Sequence, residues 1–113
     1  MKTIDVYQQY FEADCDFNGV KRRAADLRLT AESDAGQICY SLSVSFFPHA
    51  DPEDFGISWD ASLQEVIYQG KGRRSKKREQ GYMDRMREDF DRMAAELKGT
   101  IYWDRPLIEA RLG

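Results

Sequence analysis

Histidine is the scarcest chemistry-bearing residue of this chain: His49 is the only one in 113 residues. A single imidazole excludes paired-histidine metal sets. No Gly-x-Ser-x-Gly elbow and no phosphate-cradling Gly-x-x-x-x-Gly-Lys-Ser/Thr loop is present either. Cysteine is also sparse. Cys15 and Cys39 stand alone, without a Cys-x-x-Cys spacing, which excludes a disulfide framework and a zinc finger. Both are expected to be small, buried, reduced side chains. No apolar run approaches the roughly 18–20 residues of a membrane span. The start, Met1-Lys2-Thr3-Ile4-Asp5, has an early acid and no apolar signal core, so a cytoplasmic protein with no membrane contact is expected. Internal repeats, low-complexity stretches and linkers are absent, and the length fits a single domain, residues 1–113.

The chain also lacks an overall positive charge. Its net charge of −3 excludes any global argument for nucleic-acid or membrane binding. That total conceals an asymmetry. Residues 1–60 carry 5 Lys/Arg against 11 Asp/Glu, a balance of −6; residues 61–113 carry 12 against 9, a balance of +3. A local patch is therefore the form that any electrostatic function must take. The hydrophobic share of 42% is enough for a packed core.

The first half reads as antiparallel strands. Phe11, Ala13, Cys15 and Phe17 alternate with Glu12, Asp14 and Asp16, the period of two that marks a half-buried strand. Ile4 and Val6 have the opposite parity, which requires a bulge or a break near Gln8-Gln9. Asn18-Gly19 is a hairpin signal. Ala25, Leu27, Leu29 and Ala31 form the next alternation, and Asp34-Ala35-Gly36 a second turn. Ile38, Tyr40, Leu42, Val44 and Phe46 then alternate with Cys39 and three serines. Residues 48–54 form a Pro-containing acidic loop, after which Phe55, Ile57 and Trp59 alternate again. Residues 61–69 fit either a helix, with Ser62 and Glu65 as a capping box, or a strand rich in β-formers. The strand reading is favoured, continuous with residues 55–60 through a bulge.

The last third contains a helix. Met83, Met86, Phe90, Met93 and Leu97 recur at a 3-4-3-4 spacing that stacks them on one face, widened by Ala94. Two heptads are too few for a coiled-coil seam, so the stripe is assigned to packing on the sheet. Glu88 and Arg92 are placed for an i,i+4 pair. Gly99 is the expected stop, and Gly81 a weak point. A short final strand, Thr100 to Trp103, ends where Pro106 interrupts it. The fold class predicted is α+β: an antiparallel sheet of four to five strands, one long amphipathic C-terminal helix packed on one face, and a short final strand.

Four groups of residues are candidates for function. The first is the basic run Lys71-Gly72-Arg73-Arg74-Ser75-Lys76-Lys77-Arg78, at the predicted helix start. Helix N-termini carry positive potential and favour acids, so cations there are locally unfavourable unless something anionic binds. Arg73, Arg74, Lys76, Lys77 and Arg78 are accordingly the candidate contacts to a phosphate backbone or nucleic acid. The alternative is a solvated turn that aids solubility or meets an acidic protein partner. The stretch Gly70-Lys71-Gly72-Arg73-Arg74-Ser75-Lys76-Lys77, opening a helix after a strand, resembles the Ser-Lys-Lys start of the last helix in double-stranded-RNA-binding domains. Pro48-His49 is similar to that family's Pro-x-His loop without its spacing residue. The resemblance implies Lys76 and Lys77 as phosphate contacts, His49 beside a minor groove, and readout of duplex shape rather than sequence. The chain departs from the family at Gln80, where a third lysine is expected, and at Met83 and Asp84, where small alanines are expected. It departs again before the sheet, where strand-like sequence replaces a helix. The likeness is local and covers under a third of the chain.

The second candidate, Asp14-x-Asp16-x-Asn18-Gly19, copies the opening of a calcium loop, but Ala25 occupies the position of the bidentate Glu. A hairpin turn with outward acids accounts for the same residues. The third, His49-x-Asp51-x-Glu53-Asp54, offers one imidazole and acids without a partner histidine. The fourth is the set of aromatics Phe47, Trp59, Tyr68, Tyr102 and Trp103, suited to partner binding or base stacking if exposed, and to a second core layer if not. No catalytic constellation, cofactor motif or metal set emerges. The expected function is a non-enzymatic binder of nucleic acid or phosphate backbone, with a protein-interaction module, in one form a homodimer, as the alternative.

Overall fold

The computed structural model describes residues 1–48 and 61–107. Among these described residues, five strands and one helix follow the order β1 (Lys2–Phe17), β2 (Val20–Asp34), β3 (Gln37–Phe47), β4 (Ala61–Lys71), α1 (Lys76–Glu96) and β5 (Gly99–Leu107). The sheet is antiparallel throughout, with spatial order β4-β3-β2-β1-β5. The first four strands form a meander. Helix α1 carries the chain from the β4 edge across one face to the opposite edge, where β5 pairs with β1. Four strand spacings come to about 19 Å. The helix has 21 residues and is about 32 Å long, enough to cross that width.

Turn chemistry sets the meander. Asn18 (φ 57) and Gly19 (φ 76) close the β1–β2 hairpin, and Ala35 (φ 50) and Gly36 (φ 78) close β2–β3. Paired positive φ values in two-residue loops match the twist of the flanking strands. The parity conflict in β1 is resolved by a register shift between Asp5 and Tyr7. Val6 is the extra residue, so Ile4 (opposite Ala31) and Phe11 (opposite Ala25) reach the same face. The irregularity lies two residues upstream of its expected place.

The helix side of the sheet is the core. Leu27, Leu29, Leu42, Val44 and Phe46 are fully buried there, against Phe90 and Met93 of α1. Residues 61–69 are strand, as part of β4, which carries one irregularity at Ile67. The proposed continuity with residues 55–60 lies outside the described residues. Phe46 and Phe47 are both buried. Phe47 sits on the other face, where it packs edge-on to Tyr10 at 5.8 Å.

Four local expectations need adjustment. The helical stripe holds: Phe90, Met93 and Leu97 are buried and Met83 and Met86 are half-buried against the core, but towards the N-terminus the fully buried positions are Tyr82 and Glu79. The cause is Tyr40, whose ring meets Tyr82 edge-on at 5.2 Å and draws that side of the helix inward. Arg92 forks onto Glu65 of β4 at 2.8 and 3.0 Å rather than pairing with Glu88. A bidentate carboxylate on the adjoining strand outcompetes a flexible i,i+4 partner. Gly99 is not the helix stop. Lys98 (φ 58) takes the left-handed position, and Gly99 opens β5. Gly99 is small because Phe46 lies against it: a Cβ there would fall 2.3 Å from Phe46 Cζ. Nor does Pro106 end the last strand. It lies within β5 opposite Phe11, on an edge strand, where proline is tolerated.

Candidate anion-binding surface

The joint between β4 and α1 carries the basic run. Gly72 takes φ 124, a backbone conformation that L side chains rarely adopt, and its N–H donates to Gly36 O at 2.9 Å. This bond ties the joint to the β2–β3 turn. Ser75 is the N-cap, with extended backbone (φ −129, ψ 117), and its hydroxyl accepts from Arg78 N–H at 3.2 Å. Such a cap satisfies one of the free N–H groups of the first turn.

Beneath the joint lies a buried polar cluster. Glu79 is 4% exposed. Arg74 donates to it from Nε and from a terminal guanidinium nitrogen, each at 2.9 Å, and the Tyr40 hydroxyl donates to Oε2 at 2.6 Å. The same hydroxyl accepts from Ser75 N–H at 3.1 Å. The Arg74 hydrogen bonds, and then that of Tyr40, hold the Glu79 carboxyl below its ordinary pKa, against the opposing effect of burial. Burial, and then the bond to Glu79, push the Tyr40 hydroxyl pKa up. A buried carboxylate in the first turn also answers the positive end of the helix. Sequence reasoning overlooked Glu79. The signal was available: it is the first acid after six cations in eight residues, and the only acid in the first turn.

The five candidate cations therefore divide. Arg74 is committed to Glu79. Arg78 lies over the Tyr68 ring at 3.8 Å. Arg73, Lys76 and Lys77 are exposed and make no ion pair or hydrogen bond among the described residues. Arg73 also lines an open cleft of about 540 Å³ with Arg74, Gly72, Lys2, Ile4 and the β2–β3 turn. The fold thus brings Lys2, far from Arg73 in sequence, to the same cleft, which Asp34 also lines.

The other candidates have different surroundings. Asp14 accepts from Arg23 at 2.5 Å and from the Tyr102 hydroxyl. These bonds, that of Tyr102 foremost, lower its pKa. Asn18 and Gly19 are the hairpin turn, and no three His, Cys, Asp or Glu side chains converge on a metal-sized site among the described residues. The segment from His49 to Asp54, and Trp59, lie outside the described residues. Tyr68, Tyr102 and Trp103 are half-buried and engaged: Trp103 packs on Phe11 at 5.0 Å and donates to Asp91 at 2.9 Å. Cys15 is a buried free thiol that donates to Leu97 O at 3.2 Å, and burial raises its pKa. Cys39 is free and half-buried.

Compared with family models, curated proteins and solved structures, the chain matches none of them. The likeness to double-stranded-RNA-binding domains stays local to the joint. No helix among the described residues is long and apolar enough to cross a membrane.

Proposed function

We propose that this protein binds a phosphate-rich polyanion, a nucleic-acid backbone, on the surface formed by Arg73, Lys76 and Lys77. Arg74 and Arg78, each held by an internal partner, frame that surface. The observation that carries this reading is the division of the cations. The helix start already holds its own buried carboxylate, Glu79, yet three further cations remain exposed and unpaired beside it. Glu79 neutralises one charge, that of Arg74. The remainder sit where the helix disfavours them, and an external anion would relieve that cost. Lys2, across the cleft, extends the footprint.

Binding of this kind is electrostatic, sequence-independent and steeply salt-dependent. Three phosphate contacts on duplex DNA imply a loss of about 40-fold in affinity between 50 and 200 mM salt, and about 20-fold on a single strand. Fluorescence anisotropy with labelled single- and double-stranded DNA and RNA at those two salts tests it. The variant Arg73→Glu/Lys76→Glu/Lys77→Glu is expected to abolish binding while keeping its helical circular dichroism. The absence of binding at low salt, or affinity unchanged in the triple variant, would overturn the reading.

A further inference from the structure

The two edges of the sheet are unlike. On β5, Pro106 lies inside the strand, and residues 102–105 have no counterparts on β1. Proline and irregular register protect an edge from further pairing. Edge strand β4 has neither proline nor, from Ala61 to Gly70, any charge except Glu65. Among the described residues nothing pairs with its outer side. Val66, in its middle, is 56% exposed. The other exposed large apolar side chains among the described residues are Met1, at the chain start, and Val20, beside a turn.

We propose that a second copy of this chain pairs antiparallel along Ser62–Val66 of β4, about a two-fold axis at Gln64, so that the two sheets become continuous. This inference is independent of the anion-binding reading. The segment is regular: each residue from Ala61 to Val66 follows β3 without a shift, and the irregularity comes only at Ile67. An axis at Gln64 sets that residue opposite its own copy, Leu63 of one copy opposite Glu65 of the other, and Ser62 opposite Val66. Every such pair lies on a common face, as strand pairing requires. No like charges are opposed. Glu65 arrives already neutralised by the Arg92 fork, so two ion pairs come side by side rather than two bare carboxylates.

Charge also selects the direction. Parallel pairing would bring the basic runs of the two copies together. Antiparallel pairing sends Lys71 of each copy to opposite ends, about 46 Å apart at 3.3 Å per residue, several times the Debye length of about 8 Å at physiological salt. The exposed Val66 gains cover from Ser62 of the other copy, and the open backbone groups of both edges are satisfied together.

Sedimentation or light scattering over a concentration series tests this, because Gln64 is exposed and its replacement leaves the core untouched. The unaltered protein is expected to reach twice the 13.1 kDa chain mass as concentration rises. Gln64→Lys and Gln64→Glu each place like charges on the axis and are expected to raise the dimer dissociation constant by up to about fivefold. An equimolar mixture of the two variants opposes Lys to Glu and is expected to recover the double mass. A 13.1 kDa particle at every attainable concentration would overturn the proposal. So would single variants that associate as tightly as the unaltered chain, or a mixture no tighter than either variant alone.

Discussion

Replacing Tyr40 by Phe removes one oxygen from the centre of the molecule and leaves the ring in place. Tyr40 is fully buried, so its packing on Tyr82 and Tyr68 survives. Two hydrogen bonds are lost, the donation to Glu79 at 2.6 Å and the acceptance from Ser75 at 3.1 Å. A hydrogen bond to a buried charged group contributes about 1.5–3 kcal/mol. The lost Ser75 partner adds less, because that residue is half-buried and water reaches it. Arg74 cannot make up the difference, since its side chain is 41% exposed and its attraction to Glu79 is screened. The expected destabilisation is about 2 kcal/mol, or about 8 °C in Tm for a chain of this length. Urea unfolding followed by tryptophan fluorescence should show a lower midpoint with an unchanged m-value. Made in a Glu79→Gln background, the same substitution should cost about 1 kcal/mol less, because the two groups are partners. A loss below about 0.5 kcal/mol, or strictly additive effects, would refute the view that this cluster anchors the helix.

Acid should act through the same cluster. The Glu79 pKa is depressed in the folded state, chiefly by Arg74. Its contribution is therefore present above the ordinary value of 4.5 and is lost as pH falls through the depressed one. The stability gap between the unaltered chain and Glu79→Gln, measured by urea titrations at a series of pH values, should begin to close just below pH 4.5. It should vanish at lower pH; a gap that widens instead would contradict this sign. Glycine substitutions should diverge. Gly99→Ala drives a Cβ to 2.3 Å from Phe46 and should cost about 1–3 kcal/mol by overpacking. Gly81→Ala meets nothing within 4 Å and should gain about 1 kcal/mol from helix propensity. Thermal melts that rank the two variants the other way would contradict the packing described here.

Much of the architecture was legible from local pattern. Strict alternation in residues 11–17, 25–31 and 38–46 marked strands because side chains on a pleated backbone face alternately. Asn18-Gly19 and Asp34-Ala35-Gly36 marked turns because positive φ values are needed there. The parity conflict in β1 even announced its bulge. The candidate surface was legible only in part. The basic run is visible as composition, but which of its cations are committed depends on Tyr40 and Tyr68, 39 and 10 residues from their respective partners Glu79 and Arg78. The burial of Glu79 was not legible, because its partner Tyr40 lies on β3, distant in sequence from the helix. Arg92 was misassigned because Glu65 is distant in sequence and near in space.

Local spacing by itself determined that strands would precede one amphipathic helix, and that positive charge would gather where that helix begins. The two dihedrals and one side-chain direction of each residue suffice for that. Tertiary structure alone decided that the helix crosses to the far edge of the sheet, that Gly99 serves Phe46 and not the helix end, and that a buried carboxylate sits under the cations. Those outcomes follow from which surfaces meet across the core, and only the folded chain brings them into contact. The single histidine lies outside the described residues; among those residues the polar chemistry centres instead on a tyrosine, a glutamate and an arginine.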